Sequence, residues 1–333
     1  MQDKLPVLKL VVFASVIGMI IVYGTIRIQQ TDAAVAEAPV IKVAMIQAGE
    51  GGVGKHKDPW QFVKLHQDLT RQAISAVSSA DADLVIWPES VLIQPLSRSM
   101  EKLPETLFDK MGKPVLFGAY TAERKDGEIK SYVSAVLVDE ALRVQGRYDK
   151  HILVPFGEYI PLGDFFPMLY QHLPYTTRFW PGQNIAPLEF KDYRLQVNLC
   201  YEDIFPDLIR QNMVIGIFIG IGQPHAIINL TNDSWYGDTF EPIQHLANAA
   251  FRAIEHRRTL VRSTNTGISA IIDPVGRLDK RTGQWTQEIF SGNVPMMTGR
   301  TIYSYGGNWL GGITLLISMI TIGLTFISKR RKV

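Results

Sequence analysis

Val197-Asn198-Leu199-Cys200-Tyr201-Glu202-Asp203 is the end of an apolar run that stops on the only cysteine of the chain, with two carboxylates close behind it. The run itself, Leu195–Leu199, has the length and apolar character of a buried strand. In α/β domains the loops after strands are where sites are built. Taken alone, a strand-end cysteine is more often a small buried hydrophobe than a nucleophile. A nucleophilic one needs a cation to favour the thiolate and a base to take its proton. Because Cys200 stands alone, an intramolecular disulfide and any multi-cysteine metal site are excluded.

Two other strand ends carry the required residue types. In Leu84-Val85-Ile86-Trp87-Pro88-Glu89-Ser90 an apolar strand delivers Glu89 to the sheet edge, where Pro88 stops it. Burial beside Trp87 would raise the pKa of that carboxyl toward the range a general base uses. Tyr148-Asp149-Lys150-His151, followed by Val154-Pro155-Phe156-Gly157-Glu158-Tyr159-Ile160-Pro161, sets a lysine among apolar and aromatic residues. By itself such a lysine reads as a solvated strand end.

Further strand-like runs are Ile41–Ala48, Val115–Ala119, Val133–Val138, Ala226–Leu230, Thr259–Arg262 and Gly267–Ile272. Phe62–Ser78 and Pro242–Arg258 carry apolar residues at helical spacing, so strands and helices alternate as in an α/β sheet core. Met213–Gly222 is apolar but too short to span a bilayer, and is able either to pack under the sheet or to touch lipid. Gly49–Lys55 fits G-x-x-x-x-G-K, yet His56 stands where a phosphate-binding loop has Ser or Thr, so a Gly-rich surface loop is the expectation.

The 333 residues, 46% apolar and 20% charged, exclude a wholly disordered chain. A net charge of +2, from 34 basic and 32 acidic residues, gives no reason to expect nucleic acid. The charges are unevenly placed. Leu10 to Ile26 is uncharged, with Lys4 and Lys9 ahead of it and Arg27 behind. It is just short of the ~20 residues of a span and longer than a usual signal core. Ala33, Ala34, Ala36 and Ala38 offer cleavage sites, but the length favours an uncleaved anchor over residues 1–30. Trp309 to Ser328 is uncharged and ends in Lys329-Arg330-Arg331-Lys332, which predicts a second span over 308–328 and a basic cytoplasmic tail, 329–333. Tyr303, Tyr305 and Trp309 sit where an interfacial aromatic belt would be. Residues 40–300 are then one domain outside the cytoplasmic membrane.

Together, Glu89, Lys150 and Cys200 resemble the Glu-Lys-Cys triad of the nitrilase superfamily. The words WPES at Trp87–Ser90, YDKHILVPFGEYIPL at Tyr148–Leu162 and NLCYEDIFP at Asn198–Pro206 are similar to those of apolipoprotein N-acyltransferases. So are NLTNDSWYGDTFEPIQH at Asn229–His245, Arg252–Arg277, and TGRTIYSYGGNW at Thr298–Trp309. The resemblance implies a nitrilase-like αββα sandwich flanked by a transmembrane helix at each end, in a bacterial inner membrane with the catalytic domain on the periplasmic side. It implies ping-pong acyl transfer without metal or cofactor: Cys200 takes an acyl chain from phospholipid as a thioester, and the α-amine of a diacylglyceryl-cysteine lipoprotein receives it. Glu89 would be the base and Lys150 the oxyanion stabiliser. Glu158 matches a further site glutamate of the family, and Glu202 another functional position.

In that family a group of membrane helices precedes the span that enters the catalytic domain. The expectation here is therefore a shortened architecture, with a separate membrane subunit as a candidate partner. A membrane-anchored amidase and a non-catalytic subunit of a membrane complex stay open as alternatives. His245 and Asn232 read as loop scaffolding, Arg252 with Glu255 as an i, i+3 pair, and the Asn229 and Asn232 glycosylation patterns as chance. Trp60, Trp180 and Trp235 fit either core or an acyl entrance.

Overall fold

A computed structural model describes residues 4–51, 58–76, 81–125, 127–173 and 177–330. Residues 52–56 of the Gly-rich loop, the end of the Phe62–Ser78 pattern and the last residues of the basic tail lie outside the described residues.

The strands β1 (Val40–Gln47), β2 (Leu84–Ile86) and β4 (Val115–Lys125) run parallel. With β3 (Leu92–Ser97), β5 (Glu128–Val138), β6 (Val144–Asp149) and the last strand, β13 (Glu288–Pro295), they form a seven-stranded sheet of order β13-β1-β2-β4-β5-β6, β3 joining at β4. The second sheet has the order β12-β11-β10-β9-β8-β7. Its strands are β7 (Leu188–Phe190), β8 (Tyr193–Leu199), β9 (Ala226–Thr231), β10 (Leu260–Thr264), β11 (Ala270–Ile272) and β12 (Leu278–Arg281), with β8, β9 and β10 parallel.

The period-2 alternation of the strands assigns the layers. Val43 and Met45 face inward with Ile86, Leu116, Val197 and Ile228 into a core between the two sheets. Ala44 and Ile46 face outward onto α2 (Pro59–Ser75), whose Phe62, Val63, Leu69 and Ala73 cover that side. On the other outer face Ile227 and Leu260 meet α4 (Pro206–Phe218) and α5 (Glu241–His256) through Ile209, Met213, Leu246 and Ala249. The layering is αββα, as the resemblance implied. Between β6 and β7 a loop carries the short helix α3 (Met168–His172).

Two elements differ from expectation. Helix α1 runs Lys4–Glu37, past the boundary expected at residue 30. The alanines read as cleavage sites are strong helix formers and continue it, and its last turns dock on the domain through buried Thr31 and an Asp32–Arg277 pair at 2.8 Å. Residues Lys9–Glu37 of it are long and apolar enough to cross a membrane. The short α6 (Ile302–Gly306) leads into α7 (Trp309–Arg330), whose described apolar part, Trp309–Leu324, falls short of spanning length. Met213–Gly222 divides: Met213 packs under the sheet, whereas Phe218 and Ile219 are exposed.

Candidate active site

The C-terminal ends of β2, β6 and β8 bring the three sequence-selected segments together. Cys200 follows β8 with φ 50°, in the left-handed region that costs a non-glycine residue about 1–2 kcal/mol. Ser90, directly after Glu89, has φ 54°. Strain of this kind is held only where the surroundings over-determine it. At Glu89 they do so through β4: a Cβ on Gly118 would overlap the backbone of Glu89 and Ser90, so glycine alone lets the strand approach this closely. Asn265 Nδ2 also donates to the Glu89 carbonyl at 3.0 Å.

Lys150 is not a solvated strand end. It is 1% exposed, and its Nζ donates to Glu158 Oε1 at 2.6 Å and Glu89 Oε1 at 3.2 Å. The isolated reading failed because both partners lie outside its own strand. Burial works against the ammonium, but Glu89, Cys200 and Glu158 outweigh it and hold Lys150 well above an ordinary lysine. Burial and then Glu89 push the Cys200 thiol well up, with Lys150 pulling against them. The resting pair is therefore a neutral thiol beside a paired lysine. Glu158 is fixed in turn, its Oε2 accepting from the Val154 N–H at 2.9 Å.

Glu202 faces away from this cluster and ties its parts together. Its carboxylate accepts from the N–H groups of Leu199 (2.7 Å), His151 (2.6 Å) and Ile152 (3.1 Å), and from the Tyr148 hydroxyl (3.0 Å). Burial pushes the carboxyl up to about 7 against those donors.

A second group of residues lies directly beneath the cysteine; from the sequence only Asn229 and His245 of it were remarked on, and neither for a place at Cys200. Asn198, Asn229 and Arg262 share one register across β8, β9 and β10. Asn229 Nδ2 donates to the Cys200 carbonyl at 2.9 Å, while Arg262 donates to Asn229 Oδ1 at 2.9 Å, Asp233 at 2.9 Å and Asp203 at 3.3 Å. His245, expected in a scaffolding loop, sits on α5 with Nε2 2.8 Å from Asp203 and Nδ1 3.1 Å from Asp233. The sequence signal was there: three polar residues inside otherwise apolar strands. Asn232 caps the short turn Asp233–Tyr236, and Arg252 pairs with Glu255 at 2.9 Å. Asp233, Glu241 and His245 could each turn one ligand atom to a metal. However, Arg262 already supplies the cation between the aspartates, so this cluster is poorly suited to another.

In the loops that follow Lys150 a cavity of about 380 Å³ opens among His151, Leu153, Tyr159, Arg178, Phe179 and Trp180, with Asp164 also in its wall. Phe156, Phe165 and Phe166 of the same loop are exposed, as are Trp60 and Trp235.

A four-layer αββα sandwich with a buried cysteine, lysine and glutamate at its strand ends has the fold of the carbon-nitrogen hydrolases. The chain belongs to the carbon-nitrogen hydrolase family, whose profile matches residues 42–303. It is similar to the apolipoprotein N-acyltransferase of Geobacter metallireducens, 32% identical over 98% of this chain and 60% of that protein. The enzyme of the same name from Rickettsia prowazekii is 28% identical over 96% of this chain and 62% of its own length. The chain thus spans about three fifths of the curated relatives it matches. Among solved structures, a CN-hydrolase superfamily protein of Xanthomonas campestris superposes with a TM-score of 0.55 at 15% identity, covering 77% of this chain and 91% of that one. A carbon-nitrogen hydrolase of Helicobacter pylori gives 0.53 at 15% identity, covering 77% and 89%.

Proposed function

We propose that this chain N-acylates the terminal diacylglyceryl-cysteine of lipoproteins, with Glu89, Lys150 and Cys200 as catalytic residues. The observation that carries the reading is the buried lysine bridging Glu89 and Glu158 beside Cys200, in a chain resembling N-acyltransferases over nearly its whole length. In the first half-reaction Glu89 removes the thiol proton as sulfur attacks the ester carbonyl of a phospholipid. The concerted transfer suits a thiol whose pKa is raised. The ammonium of Lys150 stabilises the oxyanion of the tetrahedral intermediate. Its collapse breaks the ester C–O bond, and the leaving lysophospholipid oxygen takes the proton back from Glu89. In the second half, Glu89 deprotonates the acceptor amine, nitrogen attacks the thioester, and the sulfur leaves to regain its proton. Glu158 holds Lys150, and Glu202 acts through the loops it ties rather than on substrate. Exclusion of water, with all three residues buried, favours aminolysis over hydrolysis.

In this reading the cavity in the loops after Lys150 admits the acyl chain along Leu153, Tyr159, Phe179 and Trp180. Helix α1 crosses the membrane with its basic start, Lys4 and Lys9, on the cytoplasmic side, which leaves the sandwich periplasmic.

Intact-protein mass spectrometry after incubation with phosphatidylethanolamine tests the first half-reaction, with Cys200→Ala as control. The expected result is a gain of one acyl chain, released by hydroxylamine and absent from the control. A folded protein that gains nothing, yet hydrolyses amides in a Cys200-dependent way, would replace the acyltransferase reading with an amidase.

A further inference from the structure

The N-terminal end of the parallel strands of the second sheet holds a cavity of about 260 Å³ between α1, the end of α5 and the Met297–Thr301 segment. It is lined by Arg27, Arg257, Arg258 and Arg300 and, among the described residues, by no carboxylate. The acids nearest in sequence are engaged elsewhere: Asp32 with Arg277, and Glu255 with Arg252.

Arg258 is 1% exposed and spends its donors on carbonyls, those of Pro224 at 2.8 Å, Gly299 at 2.7 Å and three more. Carbonyls satisfy its N–H groups but leave its charge uncompensated, and burial brings its pKa down to about 10. His256, also 1% exposed, lines the same cavity. Its Nδ1 faces Ser304 Oγ at 3.2 Å, and its Nε2 is buried without a hydrogen-bond partner among the described residues. Burial first, and then the charges of Arg258, Arg252 and Arg210, bring this imidazole down to about 3, so the ring lines the cavity uncharged.

Position says what the anion is attached to. Arg27 is the first charge after the apolar run of α1, so it stands where a spanning helix leaves the hydrocarbon. Thr301, at the other wall, begins the segment with exposed Ile302, Tyr305 and Trp309, residue types that settle at headgroup depth. The volume suits a small polar group rather than a drug-sized ligand. Cys200 follows the C-terminal end of β8 and Arg258 precedes the N-terminal end of the parallel β10, so the two places are roughly 20 Å apart by strand rise.

We propose that this cavity binds a phosphate group, the phosphodiester of a membrane phospholipid held by Arg27 and Arg300 and received by His256. The site fixes the foot of α1 to the domain through a lipid and is separate from the acyl-donor site. It depends on α1 being membrane-embedded and not on acyl transfer.

The full chain carrying Cys200→Ala, so that no lipid is consumed, is purified in neutral detergent and followed by native mass spectrometry. The probes are dioleoylphosphatidylglycerol, dioleoylglycerol (which lacks the phosphate) and inorganic phosphate as competitor. The phosphatidylglycerol should be retained and the diacylglycerol lost. Arg27→Gln with Arg300→Gln should weaken retention about tenfold or more at unchanged thermal midpoint, and the corresponding Lys pair should keep most of it. Displacement by inorganic phosphate would keep the anion site and overturn the lipid as its source. Equal retention by the Gln pair, or equal retention of the diacylglycerol, would overturn the site itself. Neither outcome bears on the thioester.

Discussion

Glu202 Oε1 accepts the backbone N–H of His151 at 2.6 Å, joining the turn after the cysteine to the loop after the lysine. The two segments are about fifty residues apart in sequence, and this carboxylate, with its bonds to Leu199 and Ile152, sets the spacing between Cys200 and Lys150. Glu202→Gln replaces an acceptor with an amide N–H₂ that must face at least one of those donors. An unsatisfied buried N–H costs about 1–3 kcal/mol, so thermal unfolding should fall accordingly. Acylation should fall more steeply than stability does, because reacting groups displaced by ~1 Å lose about 10²-fold. Equal acylation rates in wild type and variant would remove this role.

Lys150→Met takes the cation from between Glu89 and Glu158 and leaves the buried Glu89 carboxylate and the partly buried one of Glu158 without it. Breaking a buried pair by removing one partner costs roughly 3–5 kcal/mol, and loss of an oxyanion stabiliser about 10²–10³-fold in rate. Single-turnover thioester formation should drop at least that far. Adding Glu158→Gln to Lys150→Met should return part of the lost stability and none of the rate.

Gly118→Ala tests whether β4 positions Glu89. The added methyl would displace Glu89 and Ser90. Overpacking of this kind costs about 1–3 kcal/mol. A variant that remains folded by circular dichroism should still react at Cys200 with a small thiol reagent but lose acyl transfer about 10²-fold.

His245 gives the pH dependence its sign. Burial and Arg262 oppose its charge, but Asp203 and Asp233 prevail and raise it to about 9. The folded state then holds the proton more tightly than the unfolded one. This contribution is fully present below pH 6.5 and is lost as the pH climbs through 9. The thermal midpoint should decline across that window by the equivalent of about 1–3 kcal/mol, and His245→Gln should be less stable at pH 6.5 yet flatter to pH 9. A wild-type profile that rises over the same window would contradict the assignment.

Much of the sandwich was legible because its signals are local. Strand runs such as Leu195–Leu199 and Ala226–Leu230, and the helical spacing of Pro242–Arg258, appear in the structure within a few residues of their read boundaries. Four strands with weaker patterns were missed: β3 carries Pro95, β7 and β12 are only three and four residues long, and β13 carries the polar Ser291 and Asn293 within it. Glu89, Lys150 and Cys200 were each visible at a strand end, and their joint order carried the resemblance.

What sequence alone determined was the alternation of elements, one apolar helix ahead of the domain, and three chemistry-bearing residues each placed after a strand. Tertiary structure alone decided that Lys150 is a buried, doubly paired cation, that Glu202 ties two loops, and that Asp203, Asp233, His245 and Arg262 interlock beneath Cys200. Periodicity reports which face of one element is apolar. The ionisation and partners of a polar side chain depend on charges brought within a few ångströms by pairings across dozens of residues, such as β1 with β13. Those distances exist only once the two sheets have closed on each other.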